Sequence, residues 1–173
     1  MTIGIIGGDD RAVAIGRLFK RCGHTVTFSD PTPAHTAQHA AEALGDDARA
    51  TTAYQQSARC EALVLAVHWE EIDTALAALG DYKDGLLIDA TRPPFLEGTS
   101  GAQLLAHKLD NRHIVKAFVD NLEPGCPVRV ASDDPVARAT VKTTISTCGR
   151  LIEDYGPLAR ASEIERDYAA NAA

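Results

Sequence analysis

The chain has no apolar stretch long enough to cross a bilayer, no cysteine pair at metal-ligand spacing and no excess of positive charge. Each absence removes a class of function. A spanning helix needs roughly 20 consecutive apolar residues. The N-terminus enters a strand-like run without the charged-then-apolar order of a secretory leader, so a cytoplasmic protein is expected. A formal net charge of −7 at pH 7 gives no long-range attraction to phosphate backbones or anionic lipid, which argues against nucleic acid and membrane as partners. The four cysteines, Cys22, Cys60, Cys126 and Cys148, are scattered, with no histidine at ligand spacing. They read as reduced thiols, and neither a metal site nor a disulfide is expected. No internal repeat or linker divides the chain.

What is present is a regular alternation. The 173 residues are 45% hydrophobic and 24% charged, which suits one domain around one core and argues against disorder. Residues 2–6 form a short apolar run ending in Gly7-Gly8, a buried strand. Ala12, Ile15, Gly16, Phe19 and Cys22 then fall on one helical face, which Gly23 ends. Residues 24–29 read as a second strand, and a helix follows from Thr32 as cap and Pro33 to Gly45. Residues 62–67 are apolar on both faces, as a central parallel strand requires. The next helix carries Ile72, Ala75, Leu76 and Leu79. Strands are predicted at 85–90, 113–118, 127–131 and 150–152. Helices follow Asp133-Asp134-Pro135, with a stripe of Ala137, Val141, Ile145 and Cys148, and close the chain from Pro157 to about Tyr168. Strands alternating with helices predict an α/β fold, a Rossmann-like doubly wound, mostly parallel sheet spanning residues 1–173 as a single domain.

The first turn carries the chemistry. A dinucleotide-binding unit has G-x-G-x-x-G/A after its first strand: a tight turn, a close approach of amides to pyrophosphate, and close helix packing. Here the sequence is Gly7-Gly8-Asp9-Asp10-Arg11-Ala12. Gly7 and Ala12 fit the first and third positions, and Gly16 adds a small residue one turn on. Asp9 takes the middle one. A like-charge pair about 4 Å apart costs on the order of 4 kcal/mol at an effective dielectric near 20. Arg11 offsets this if its guanidinium turns to the pyrophosphate. Alternatively, Asp9 and Asp10 simply cap the helix, in competition with phosphate for the same amides. Asp30, ending the second strand, is either turn chemistry before Pro31 or the acid that binds the adenine ribose hydroxyls and disfavours a 2′-phosphate.

Further motifs recur in order: Ile3-Gly4-Ile5-Ile6-Gly7, Gly23-His24-Thr25-Val26-Thr27, Leu65-Ala66-Val67-His68-Trp69-Glu70 and Ile88-Asp89-Ala90-Thr91-Arg92-Pro93. Val115-Lys116-Ala117-Phe118, Ala131-Ser132-Asp133-Asp134 and Gly156-Pro157-Leu158 follow. Together they resemble the NADP-dependent reductases of the 5-deazaflavin coenzyme (factor 420). The resemblance implies that Val67, His68 and Trp69, then Thr91, Arg92 and Pro93, then Lys116, Ala117 and Phe118 surround the nicotinamide and the acceptor. His68 stands where that family has Pro, Arg92 where it has Asn, and Val119-Asp120 where it has Asn-Thr. The stretch 119–126 is also shorter.

Each of these residues has a plainer reading beside the functional one. Trp69 can anchor a helix start, Glu70 and Glu71 can favour the helix dipole, Lys116 can be a surface charge and His68 a bonded loop residue. As catalytic groups, His68 is the acid/base candidate by position and Arg92 a guanidinium suited to an anionic ligand. The resulting expectation is an NAD(P)-dependent oxidoreductase acting on a small-molecule substrate through hydride transfer to a conjugated acceptor. Asp30 favours NAD as cofactor, and the resemblance favours NADP. Two further readings are a reductase of an imine or small keto acid, and a non-catalytic binding module that has lost pyrophosphate binding through Asp9. Leu158, Ala161, Ile164 and Tyr168 on the closing helix suggest a homodimer.

Overall fold

Ala62–Leu65 reads Ala-Leu-Val-Leu with every residue buried, so the segment can lie only inside a sheet covered on both faces. The computed structural model describes residues 1–31, 36–45, 48–52, 55, 59–94, 96–120, 122–123 and 125–171. Within them the strands are β1 (Thr2–Ile6), β2 (Thr25–Ser29), β3 (Arg49–Ala50), β4 (Ala62–Leu65), β5 (Leu86–Asp89), β6 (Ile114–Lys116), β7 (Val128–Ala131) and β8 (Ile152–Gly156). They form one eight-stranded sheet in the order β3-β2-β1-β4-β5-β6-β7-β8. Every pairing is parallel except β6 with β7. This is the predicted Rossmann-like α/β fold.

The helices are α1 (Asp10–Arg21), α2 (Thr36–Leu44), α3 (Ile72–Leu79), α4 (Gly101–Leu109), α5 (Pro135–Thr147) and α6 (Ala161–Asn171). One face of the sheet is covered by α1, α2 and α5, through Ala12, Ile15, Phe19, Ala40, Val141 and Ile145. The other is covered by α3, α4 and α6, through Ile72, Leu79, Leu105 and Ile164. The predicted stripes therefore point inward because each is the apolar face of an amphipathic helix.

Several expectations shift. The last strand runs over Ile152–Gly156 rather than 150–152, because β8 pairs with β7 through Val128 and Ile152. The α4 helix was not anticipated. Its start is nonetheless written locally: Ser100 Oγ accepts from Gln103 N at 3.1 Å and Gln103 Oε1 accepts from Ser100 N at 3.1 Å, a reciprocal cap. The Thr32 cap and Pro33 lie outside the described residues. Leu158, Ala161 and Ile164, the apolar residues behind the homodimer expectation, are buried within the chain itself at 5%, 0% and 0% exposure.

The cysteines bring a correction. Cys22 and Cys148 are the C-cap residues of α1 and α5, and a disulfide joins them with their Cα atoms 5.4 Å apart. They lie 126 residues apart in sequence, so no local spacing announces the pair. It arises because α1 and α5 cover the same face of the sheet. Cys60 and Cys126 are free. Unreduced, denatured protein should therefore titrate two thiols, rising to four after reduction. Cys148→Ser should lower the unfolding free energy in denaturant by about 2–4 kcal/mol, since the bridge constrains a long loop of the unfolded chain.

Candidate functional site

Connections leave β1 and β4 toward opposite sides, and such a switch point opens a crevice at the carboxyl ends of the strands. Gly7 forms its floor. Its φ is +127°, its N–H donates to Ser29 O at 2.8 Å, and a Cβ there would stand 2.4 Å from Ala66 O. Only glycine fits. Asp9 then caps α1: its Oδ1 accepts from Ala12 N at 2.8 Å. Asp10 is exposed in the first turn, and the buried Ala12 lies against the sheet. Among the described residues, the backbone amides of Asp10 and Arg11 meet no acceptor.

Asp30 is also a cap. Its Oδ1 accepts from Thr36 Oγ1 at 2.5 Å and its Oδ2 from Ala37 N at 2.7 Å, so both oxygens hold the first turn of α2. Thr36 in turn rests on the glycine loop, where a Cβ on Gly8 would meet the Thr36 backbone carbon at 2.5 Å. The bare Gly8 is what lets α2 come this close.

At the exit of β4, Val67 is buried, His68 is exposed and Trp69 is half-buried. His68 N donates to Glu71 Oε2 at 3.3 Å. Trp69 packs its ring edge where a Cβ on Gly101 would stand at 2.9 Å, so it anchors the start of α4. The exit of β5 is stiffer. Asp89 Oδ1 accepts from Thr91 N at 2.9 Å and from Thr91 Oγ1 at 2.7 Å, all of it buried. Such a turn fixes the carbonyls that follow. Ala90 O accepts from Arg11 Nη1, and Thr91 O accepts from Lys116 Nζ at 2.9 Å.

Lys116 is no surface charge. It is 0% exposed, and its ammonium sits 2.9 Å from both Asp89 Oδ2 and Glu165 Oε1. Glu165 also accepts from Gly101 N at 3.0 Å, at the positive end of α4. Beyond Lys116 come Ala117, fully buried, and Phe118, which adopts φ +60° with its ring edge-on to Phe19 at 5.5 Å. A non-glycine residue in that region is strained by about 1–3 kcal/mol. The bend it makes is followed by Val119, whose carbonyl accepts from Arg92 Nε at 2.9 Å. The Arg92 guanidinium carbon stands 4.1 Å from the Tyr168 ring centroid.

The structure thus gathers Gly7, Gly8, Asp9, Arg11, Val67, His68, Thr91, Arg92 and Ala117 at the carboxyl ends of β1, β4, β5 and β6. It keeps the Lys116 ammonium below them, in its ion network. Glu165 and Tyr168 were not among the candidates, since nothing in the sequence ties α6 to β5 and β6. A cavity of ≈ 330 Å³ adjoins this region between Pro93, Leu96, Thr99, Gln103, Ser162 and Arg166.

Residues 2–93 match the family described as NADP oxidoreductase, coenzyme F420-dependent, which is more than half of the 173 residues. The chain belongs to that family. Among solved structures it is similar to a putative F420-dependent NADP reductase from an Arthrobacter species, at 19% identity over 97% of this chain and 90% of that one, with TM-score 0.82. A hypothetical protein from Sinorhizobium meliloti is 18% identical over 95% and 89%, with TM-score 0.81. An imine reductase from Myxococcus stipitatus in complex with NADP+ is 14% identical over 99% of this chain and 61% of its own, with TM-score 0.76. At such identities the likeness establishes the fold. No curated sequence matches the chain.

The frame of this oxidoreductase family fits a dinucleotide: the Gly7 turn, the small Ala12 and, among the described residues, two amides without acceptors at the start of α1. Asp9 and Asp30 each hold a helix end. The Asp89–Lys116–Glu165 network holds the floor beneath. Lys116→Met would leave two buried carboxylates without a cation, which should cost about 3–5 kcal/mol in chemical denaturation. A loss under 1 kcal/mol would show that the network does not hold the site.

Proposed function

We propose that the chain is an NAD(P)-dependent oxidoreductase that moves a hydride between nicotinamide and a conjugated small-molecule acceptor. The observation that carries this reading is the Gly7 turn at the β1–β4 switch point, inside the segment that matches the oxidoreductase family. When bound, the nicotinamide ring supplies or accepts the hydride. The chain's own residues supply position. The amides of Asp10 and Arg11, at the positive end of α1, would hold a phosphate. Asp30, whose oxygens keep lone pairs beside their bonds to Thr36 and Ala37, would accept from the ribose hydroxyls. The buried Val67 and Ala117 exclude water from the strand ends. Orientation and exclusion of water are what hydride transfer chiefly needs. His68, exposed at the rim, is the acid/base group that the site offers a bound acceptor.

Asp30 and the family pull the cofactor preference in opposite directions. A carboxylate beside the ribose repels a 2′-phosphate, whereas the family is described as NADP-dependent. The imine reductases of M. stipitatus, which share the fold, are described with NADP+ and, as a variant, with NAD+.

A second reading, a binding module without turnover, draws on one observation: Asp9 already takes the Ala12 amide and places a carboxylate beside the phosphate position. Calorimetric titration with NADH and NADPH at low salt tests the first reading, with saturable binding of at least one below millimolar expected. Binding of neither would sink it. Asp9→Gly keeps a tolerated capping residue at a cost of a few tenths of a kcal/mol. It should tighten dinucleotide binding at least tenfold if the carboxylate opposes phosphate, and an unchanged affinity would show that the loop accommodates phosphate as it stands.

A further inference from the structure

Two arginines reach the crevice, and among the described residues neither forms an ion pair. Arg11 leaves the first turn of α1, beyond β1, and reaches Ala90 O beyond β5. Since β4 lies between β1 and β5 in the sheet, the side chain crosses the mouth of the crevice. Arg92 comes from the same β5 exit and is held by Val119 O and the face of Tyr168. Both are half-buried, and each is anchored by a hydrogen bond to a neutral backbone carbonyl. Among the described residues neither has a carboxylate within 4.0 Å, whereas Arg129, Arg138 and Arg160 each do. The acids nearest Arg11 are used elsewhere: Asp9 on the Ala12 amide and Asp89 on Lys116 and Thr91. Burial first, and then the charge of Arg92, lower the Arg11 pKa from its ordinary value, against a smaller opposite effect of Asp9 and Asp89.

Half-buried like charges with no carboxylate in ion-pair contact repel each other, and a ligand of opposite charge lowers that cost. A guanidinium presents five donors in a planar fork matched to carboxylate and phosphate. Arg11 and Arg92 each use one for anchoring, which leaves donors on both for a shared anion. We propose that Arg11 and Arg92 form a clamp for the anionic group, a carboxylate or a phosphate, of a small ligand seated at the carboxyl ends of β1, β4 and β5. The clamp rests on the reading that this crevice is the ligand site. Its anion has two sources, an acid group on the acceptor or a phosphate of the dinucleotide.

The test uses full-length protein at constant ionic strength. Inorganic phosphate and pyruvate are titrated by thermal shift and calorimetry against the wild type, Arg11→Met, Arg92→Gln, and the charge-keeping Arg11→Lys and Arg92→Lys. Saturable binding to the wild type is expected, weakened at least tenfold in Arg11→Met and Arg92→Gln and partly kept in the lysine variants, with pyruvamide inert. Circular dichroism and the ligand-free Tm confirm that each variant is folded. Equal responses in wild type and neutral variants, or no saturable response, would overturn the clamp. NADH and NADPH are then titrated with and without saturating pyruvate. Competition assigns the clamp to a dinucleotide phosphate, and simultaneous binding assigns it to the acceptor's acid group. Arginine-dependent anion binding without any dinucleotide binding would leave the clamp standing and the oxidoreductase reading fallen. Dinucleotide binding without anion binding would do the reverse.

Discussion

The ammonium of Lys116, wholly buried between Asp89 and Glu165, is the contact on which the candidate site depends. It joins β5, β6 and α6 at one point, and through Glu165 it also seats the first turn of α4. One cation between two carboxylates leaves an uncompensated negative charge. The amides at the start of α4 offset it on the Glu165 side, and the Thr91 donors offset it on the Asp89 side. A buried ion pair adds little net stability over a well-packed apolar core, yet it specifies one arrangement because any other leaves a charge unpaired. Here that arrangement fixes Ala90 O and Thr91 O, and with them the place of Arg11.

Above this floor the polar side chains of the crevice are mostly bonded inward. Asp9 and Asp30 close helix ends, Thr91 closes the turn after β5, and Trp69 closes the contact with Gly101. Each satisfies an otherwise orphan backbone group or fills a space left by a glycine. Arg11 and Arg92 are different: among the described residues they are anchored to carbonyls and, for Arg92, an aromatic face. Burial and mutual repulsion make their charges costly, and in the proposed clamp that cost favours an anion.

The glycine loop and its helix were legible from the sequence because they depend on neighbouring residues alone. A tight turn at Gly7, a cap at Asp9 and small residues at Ala12 and Gly16 are local requirements. The motif order through residue 93 likewise pointed to the family that the chain belongs to. Lys116 illustrates the limit: in sequence it is one lysine after two apolar residues, compatible with a surface charge. Its burial follows from Glu165, 49 positions on, which reaches β6 only once α6 has docked. The α4 helix had a local signal, the Ser100 and Gln103 cap, that its short apolar stripe made easy to pass over.

By itself, then, the sequence determined the alternation of strands and helices, the stripes that face the sheet and the conformation of the first turn, because these follow from burial periodicity and from which residues tolerate a given backbone. Only the tertiary structure decided which distant groups share a site. The Cys22–Cys148 bridge, the ion network of Lys116 and the reach of Arg11 to Ala90 all join segments whose approach is set by helix docking and strand order. No spacing along the chain encodes such an approach, since electrostatic and covalent pairing depend on distance in space.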